Sequence, residues 1–79
     1  MRFSVEYYAG NSMYYIALGD RVHDRDIALY LDIKYEEYLV ILLTNEAVYK
    51  NGCYFLSRKQ TNDVIKILEP YLIMARLTK

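Results

Sequence analysis

Hydrophobic and polar positions alternate at the start of the chain, and a short loop interrupts the alternation once. Residues 2–8 and 12–18 both repeat with the period of two that is typical of β-strands. Gly10 and Asn11 lie between them as a two-residue loop with glycine in its first central position. The pattern therefore predicts an N-terminal β-hairpin closed by a type II′ turn.

The predicted pairing places the side chains of this hairpin on two faces. One face is expected to pack against the core, because each opposed pair on it is apolar or aromatic: Phe3 with Leu18, Val5 with Ile16, and Tyr7 with Tyr14. On the opposite face, three large side chains form a cluster next to the turn: Tyr8, Met13 and Tyr15. This cluster either packs beneath a later helix or remains exposed as a contact patch.

Helical spacing replaces the alternation in the next part of the chain. Asp24 is the predicted N-cap of a short helix that ends near Asp32. Its buried face is expected to hold Ile27, Ala28 and Leu31, which recur at helical spacing.

A second helix is predicted over residues 35–44. Glu36 and Glu37 favour a helix N-terminus there, because their negative charge complements the positive end of the helix dipole. The expected buried positions are Tyr35, Leu39, Leu42 and Leu43, with Val40 and Ile41 on the other side. Residues 38–44 are short, apolar and partly β-branched, so a buried strand is the alternative for this segment.

The sequence Asn51-Gly52 predicts a second hairpin further along the chain. Apolar and aromatic residues flank it on both sides, and this dipeptide favours a type I′ turn. Such a turn places Tyr49 opposite Tyr54.

A last helix is predicted after this hairpin. Ser57 and Gln60 have the spacing of a capping box, in which each side chain satisfies a backbone amide of the first turn. Pro70 removes a backbone donor, so the C-terminal helix is expected to be broken or kinked there and to restart over residues 71–77. The apolar positions with helical spacing are Val64, Leu68, Tyr71, Leu72 and Ala75. In order, the elements predict an α+β fold: an N-terminal β-hairpin, two short helical segments, a second β-hairpin and a C-terminal helix, in a single compact domain over residues 1–79.

The number of tyrosines gives information about function. Ten of the 79 residues are tyrosines. Each has a large apolar ring and a hydroxyl group that needs a partner, and a domain of this size has only a modest core. Some of the rings must therefore face solvent or another molecule. We expect a partner-binding role for Tyr8, Met13 and Tyr15, with Tyr49 and Tyr54 as a second patch.

Charge and cysteine content favour a cytoplasmic protein. Ten basic and ten acidic residues leave no net charge to attract nucleic acid or a membrane surface. Cys53 is the single cysteine, so an intrachain disulfide is excluded and a reducing compartment is expected. The first residues lack the pattern of a signal peptide, and the longest apolar run, residues 38–43, is too short for a membrane span.

Catalytic and metal-binding patterns are not recognisable in the sequence. His23 lies among Asp20, Asp24 and Asp26, but the spacing matches no EF-hand or zinc signature, and a charged loop before a helix accounts for the same residues. Cys53 could act as a nucleophile only with a base beside it, and a small half-buried apolar residue is the interpretation we prefer. We therefore expect no enzymatic activity and no cofactor.

Nucleic-acid binding is an alternative, because two short helices followed by a hairpin resemble a winged helix-turn-helix unit. The second helix opposes this interpretation, since Glu36 and Glu37 would repel phosphates and no basic residue accompanies them. A nucleic-acid-binding regulator would instead use basic residues of the second hairpin and the last helix: Lys50, Arg58, Lys59 and Lys66.

Three segments within residues 27–72 carry a resemblance to a known class of proteins. Residues 27–38, 49–55 and 64–68 resemble small accessory proteins of phages and prophages, a class that includes anti-CRISPR inhibitors and small transcriptional regulators. The resemblance implies a binding protein that acts on a host or phage macromolecule, and it transfers no functional residue. We expect a protein-binding module, such as a phage-type inhibitor that occludes the surface of a host protein, with a structural homodimer as a further alternative.

Overall fold

Two β-hairpins and three helices follow one another in a computed structural model that describes all 79 residues. The order of elements confirms the predicted α+β class. The elements are β1 (Phe3–Tyr8), β2 (Met13–Leu18), α1 (Asp24–Leu31), α2 (Tyr35–Thr44), β3 (Val48–Lys50), β4 (Cys53–Phe55) and α3 (Arg58–Thr78).

The register of the first hairpin is confirmed, but its turn is not of the predicted type. Strands β1 and β2 pair as expected, from Phe3 opposite Leu18 to Tyr8 opposite Met13. The prediction of a type II′ turn at Gly10 was wrong, because the left-handed residue of the loop is Ser12, with φ of 57°. The Tyr8 carbonyl accepts a hydrogen bond from the Ser12 amide at 2.9 Å, which closes a four-residue loop.

Gly10 has a different role from the one its position predicted. A Cβ atom at this position would lie 2.6 Å from Cε2 of Tyr8, which is closer than real side-chain contacts allow. Glycine is therefore needed so that the Tyr8 ring can lie against the loop.

The boundaries of the two short helices largely follow the predictions. Helix α1 ends at Asp32, which adopts a left-handed conformation with φ of 58°, but its N-cap is His23 rather than Asp24. His23 is extended and makes no side-chain capping bond, and Asp24 already has helical geometry in the first turn. For residues 35–44 the helix is confirmed over the strand.

The buried face of α2 is rotated from the predicted one. Tyr38 and Leu42 are its buried residues, whereas Leu43 is about half exposed. Packing against other helices explains the difference. Helix α2 packs against both α1 and α3, and it does so with the side that carries Tyr38 and Leu42, which lie one turn apart.

The second hairpin is confirmed and is joined to the first by backbone hydrogen bonds. Asn51 and Gly52 have φ of 51° and 84°, as a type I′ turn requires, and Tyr49 pairs with Tyr54. The Leu56 amide donates to the Tyr14 carbonyl at 2.8 Å, and the Tyr14 amide donates to the Leu56 carbonyl at 2.9 Å. We call this pair of bonds the inter-hairpin bridge.

Helix α3 begins at the predicted cap and runs through Pro70. The Ser57 hydroxyl oxygen accepts a hydrogen bond from the Gln60 amide at 3.2 Å, which confirms Ser57 as the N-cap. The reciprocal bond of the predicted capping box is not formed, because the Gln60 side-chain oxygen accepts from the Ser57 hydroxyl at 2.9 Å and not from the Ser57 backbone amide. Of the two outcomes predicted for Pro70, the break does not occur, because Arg58–Thr78 is one continuous helix. A single helix is required to place Leu68 and Leu72 on the same buried face, and the exposed Pro70 ring lies outside that face. Tyr71, which was expected on this face, is 43% exposed.

The core lies where all three helices meet the inner face of the first hairpin, at Phe3, Ile16 and Leu18. Tyr7, which was expected on this face as part of the core, is 57% exposed. Helix α3 is the centre of the core, and the buried residues Val64, Leu68 and Leu72 contribute its longest apolar face. None of the three helices has the length and apolar character required to cross a bilayer.

Replacing Pro70 with alanine is expected to raise the free energy of unfolding by about 1–3 kcal/mol. The alanine amide can donate to the carbonyl four residues earlier, and the steric clash of the proline ring is removed, while the unfolded chain gains some entropy. Urea denaturation measures the change. Lys66→Ala, at an exposed position one turn away, is the control and should change stability by less than about 0.5 kcal/mol. A Pro70→Ala protein no more stable than the original would contradict this account of α3.

Candidate functional site

A pocket of about 250 Å³ opens between the two hairpins and the start of α1. It lies beside the outer face of the first hairpin, and Asp24 at the start of α1 forms part of its wall. Among its eleven lining residues, those that determine its chemistry are Tyr8, Tyr15, Asp24, Lys50, Tyr54 and Phe55.

The aromatic part of the pocket follows from the inter-hairpin bridge. Because Tyr14 pairs with Leu56, the antiparallel direction brings Tyr15 beside Phe55 on the same face. The Phe55 ring is buried, and its centre lies 5.4 Å from that of Tyr8 and 6.3 Å from that of Tyr15. The outer cluster of the first hairpin is therefore covered in part by the second hairpin, not by a helix, and Tyr8 remains 47% exposed.

The structure brings three of the five predicted partner-binding residues into the pocket. Tyr8, Tyr15 and Tyr54 line it. Tyr49 stacks on Tyr54 with ring centres 4.9 Å apart and is the most exposed tyrosine, at 62%. Met13 is half-buried opposite Tyr8 and does not line the pocket. The two predicted patches are thus parts of one surface.

Asp24 gives the pocket its acidic group. Burial raises the pKa of its carboxyl group from the ordinary 3.8 to about 6, although the Tyr38 hydroxyl, the His23 side chain and the Tyr54 backbone amide each lower it. The carboxylate has no cationic partner, because the one ion pair of the molecule joins Lys59 to Asp63.

Tyr38 lies beneath Asp24 and is the fully buried tyrosine of the chain. Its hydroxyl is close enough to lower the pKa of Asp24, but it falls short of a full hydrogen bond and is one of two buried polar atoms without a partner. Burial and the neighbouring carboxylate raise the pKa of Tyr38. The phenol therefore stays protonated and available as a donor at neutral pH.

His23 and Cys53 also line this pocket. Both are exposed, and no hydrogen bond joins them. No three of the histidine, cysteine and acidic side chains come together in a way that could hold a metal ion. The arrangement favours binding through aromatic and carboxylate groups.

The four basic residues considered for nucleic-acid binding are distributed over different parts of the surface. Lys50 lines the pocket, and the Arg58 guanidinium lies over the Tyr14 ring at 5.7 Å. Lys59 donates to Asp63 at 2.9 Å across one turn of α3, and Lys66 is exposed on the same helix. Two of the four charges are thus already in contact with other side chains.

Comparison of the chain with protein-family models, curated proteins and solved structures finds no match.

The sequence did not reveal that the residues just before α1 and at its start form one wall of the pocket. The sequence predicts a charged loop at His23 and a helix N-cap at Asp24, and it indicates no role for Val22 or Phe55. Their convergence depends on the inter-hairpin bridge, which joins residues more than forty positions apart. The signal that the sequence does contain is Asp24, a carboxylate that follows soon after a hairpin rich in tyrosine.

The Asp24 carboxyl group is expected to titrate near pH 6, and an NMR titration of its side-chain ¹³C signal measures this directly. The native state holds this proton more tightly than the unfolded chain, so the associated stability is present below about pH 4 and is lost as the pH rises through about 6. Asp24→Asn should therefore gain about 2–3 kcal/mol of stability relative to the original protein between pH 4 and pH 7. The exposed Asp20→Asn variant is the control, and the difference between its free energy of unfolding and that of the original protein should stay constant with pH. A midpoint near pH 4 for Asp24 would contradict the prediction.

Proposed function

We propose that this chain is a small, non-enzymatic protein-binding module that contacts a partner protein through the pocket and the tyrosines around it. The observation that carries the proposal is the convergence of Tyr8, Tyr15 and Tyr54 on one open pocket. Tyr49 extends the same aromatic surface outward through its contact with Tyr54.

The physical properties of tyrosine support this role. A tyrosine ring contributes a large contact area with few rotatable bonds, so little entropy is lost when a partner immobilises it. Tyrosine is for this reason enriched at positions that dominate binding energy. Tyr8 is partly held in place by Phe55 and the glycine loop, while about half of its surface remains free for a partner.

The more specific form of the proposal is a phage-type inhibitor that acts in the cytoplasm by covering a surface of a host or phage protein. It rests on the resemblance of residues 27–72 to phage accessory proteins, including anti-CRISPR inhibitors. A domain of this size can inhibit another protein without a catalytic group, because a standard interface of about 800 Å² on each partner can block access to a functional surface of that protein.

Substitution of both Tyr8 and Tyr15 by alanine should abolish partner capture while the domain remains folded. The double variant removes the two rings that Phe55 holds at the pocket. We would compare the proteins captured from host lysate by the original chain, by the double variant and by Tyr71→Ala, a control at an exposed tyrosine on α3. Circular dichroism verifies folding. A partner that is retained equally by all three proteins would contradict the proposal.

A second candidate function, a structural homodimer, is supported by the C-terminal half of α3. Apart from Glu69 and Arg76, which share one side, this half of the helix is largely apolar, and the core leaves exposed the large side chains of Tyr71, Ile73, Met74 and Leu77, together with Ile67 just before it. A group of exposed apolar side chains is typical of an interaction surface, and copies of a chain with zero net charge do not repel one another through their overall charge. Leu77 is 76% exposed.

Sedimentation velocity over a range of concentrations tests this candidate. If α3 forms the contact, the chain associates as concentration rises, and Met74→Lys combined with Leu77→Lys restores the monomer. Leu29→Lys is the matched control, since Leu29 has the same exposure on α1 and should leave association unchanged. A chain that sediments as a monomer at every concentration would rule out the homodimer.

A further inference from the structure

The pocket contains a carboxylate that has no ion-pair partner, although the charge of the nearby His23 lowers its pKa. Asp24 is half-buried at the start of α1, and no basic side chain pairs with it. The adjacent Arg25 is committed elsewhere, since its guanidinium lies 4.1 Å from the centre of the Tyr35 ring. A partly desolvated carboxylate is costly unless a cation or several donors satisfy it, so this site favours a cation from outside the chain.

The aromatic walls of the pocket have the same preference. Tyr8, Tyr15 and Phe55 pack at mutual tilts, with interplanar angles of 33° and 87° relative to Phe55. The π-faces of aromatic rings attract ammonium and guanidinium groups, and no basic side chain of this chain lies over these three rings. The walls and the carboxylate thus select the same class of ligand by two different physical effects.

Other charged and titratable groups near Asp24 leave room for this ligand. His23 and Lys50 are exposed and lie at the pocket, and neither forms an ion pair with Asp24. Tyr38 and Tyr35 approach Asp24 from α2, and the Tyr54 backbone amide approaches from β4. The Tyr38 phenol lies near the carboxylate without a full hydrogen bond to it, and neither this phenol nor the Tyr54 amide supplies the positive charge of a counter-ion.

We infer that the pocket accepts a lysine or arginine side chain of the partner protein, with its cationic group at Asp24 and its alkyl stem along the rings of Tyr8, Tyr15 and Phe55. This inference rests on the proposed protein-binding function and names the partner residue that the pocket recognises. A volume of about 250 Å³ is sufficient for one long side chain. The exposed rings of Tyr8 and Tyr49 beside the pocket would contact the surface around that side chain, which favours a protein over a free amine.

Titration of the isotope-labelled protein with single blocked amino acids tests the inference at pH 7.5. The probes are N-acetyl lysine methylamide, its arginine counterpart and, as the neutral control of similar shape, the norleucine counterpart. Lysine or arginine should shift the ring signals of Tyr8, Tyr15 and Phe55 saturably, with at least about tenfold tighter binding than norleucine, since a charge-assisted contact is lost in norleucine. Affinity for the cationic probes should fall below about pH 6, as Asp24 becomes protonated.

Two variants assign the effect to the pocket. Asp24→Asn should weaken binding of the cationic probe at least about tenfold, and Asp20→Asn, at an exposed acidic position outside the pocket, should leave it unchanged. Tyr8→Leu retains an apolar side chain but removes a π-face, so it should also weaken binding of the cation while sparing norleucine.

Three results would overturn the inference: norleucine binding as tightly as lysine, full retention of affinity in Asp24→Asn, or butylammonium binding much more tightly than the blocked residues. The last result would assign the site to a free amine. Loss of partner capture on substitution of Tyr8 and Tyr15, combined with no response to the cationic probes, would refute this inference alone. Capture that survives that substitution would instead refute the proposed function.

Discussion

The two backbone hydrogen bonds of the inter-hairpin bridge determine where the aromatic pocket of this protein forms. By pairing Tyr14 with Leu56, they place Phe55 on the outer face of the first hairpin, against Tyr8 and Tyr15. Leu56 itself points to the opposite side and is buried in the core. Since α3 begins immediately after this point, the same bridge also positions the helix that completes the core. Two short hairpins, each marginal alone, thus become parts of one structure.

The surplus of tyrosine rings explains how the basic residues are used. Only Tyr38 is buried, and several of the partly exposed rings are covered by cations of the same chain. Arg21 and Lys79 both lie over Tyr30, at 5.0 and 4.4 Å, and Arg25 lies over Tyr35. Each such contact covers one face of an aromatic ring. It also engages a positively charged group that could otherwise contact phosphate. At the pocket the rings of Tyr8, Tyr15 and Phe55 have no cation of the chain over them, and this difference sets the pocket apart from the rest of the aromatic surface.

Local signals were sufficient wherever one short segment decides its own backbone. Asn51 and Gly52 adopt the positive φ of a type I′ turn, and Ser57 caps α3, because the groups that determine these conformations lie within the segments themselves. The burial of Tyr38 was not predicted, and the sequence did not decide between a break and a kink at Pro70, since both features depend on which helix face meets the core. The pocket was beyond local reasoning for the same reason: it exists only after the two hairpins have paired. Sequence alone therefore singled out most of the aromatic residues that line the pocket, but not the carboxylate that lines it with them.

The measurement that tests this account most directly is a nuclear Overhauser spectrum of the free protein. The account predicts a cross-peak between the amide protons of Tyr14 and Leu56, together with cross-peaks from the Phe55 ring to the rings of Tyr8 and Tyr15. If the first hairpin shows its own cross-strand contacts but none to Leu56 or Phe55, the two hairpins are separate in solution. The pocket and the functions proposed for it would then be contradicted.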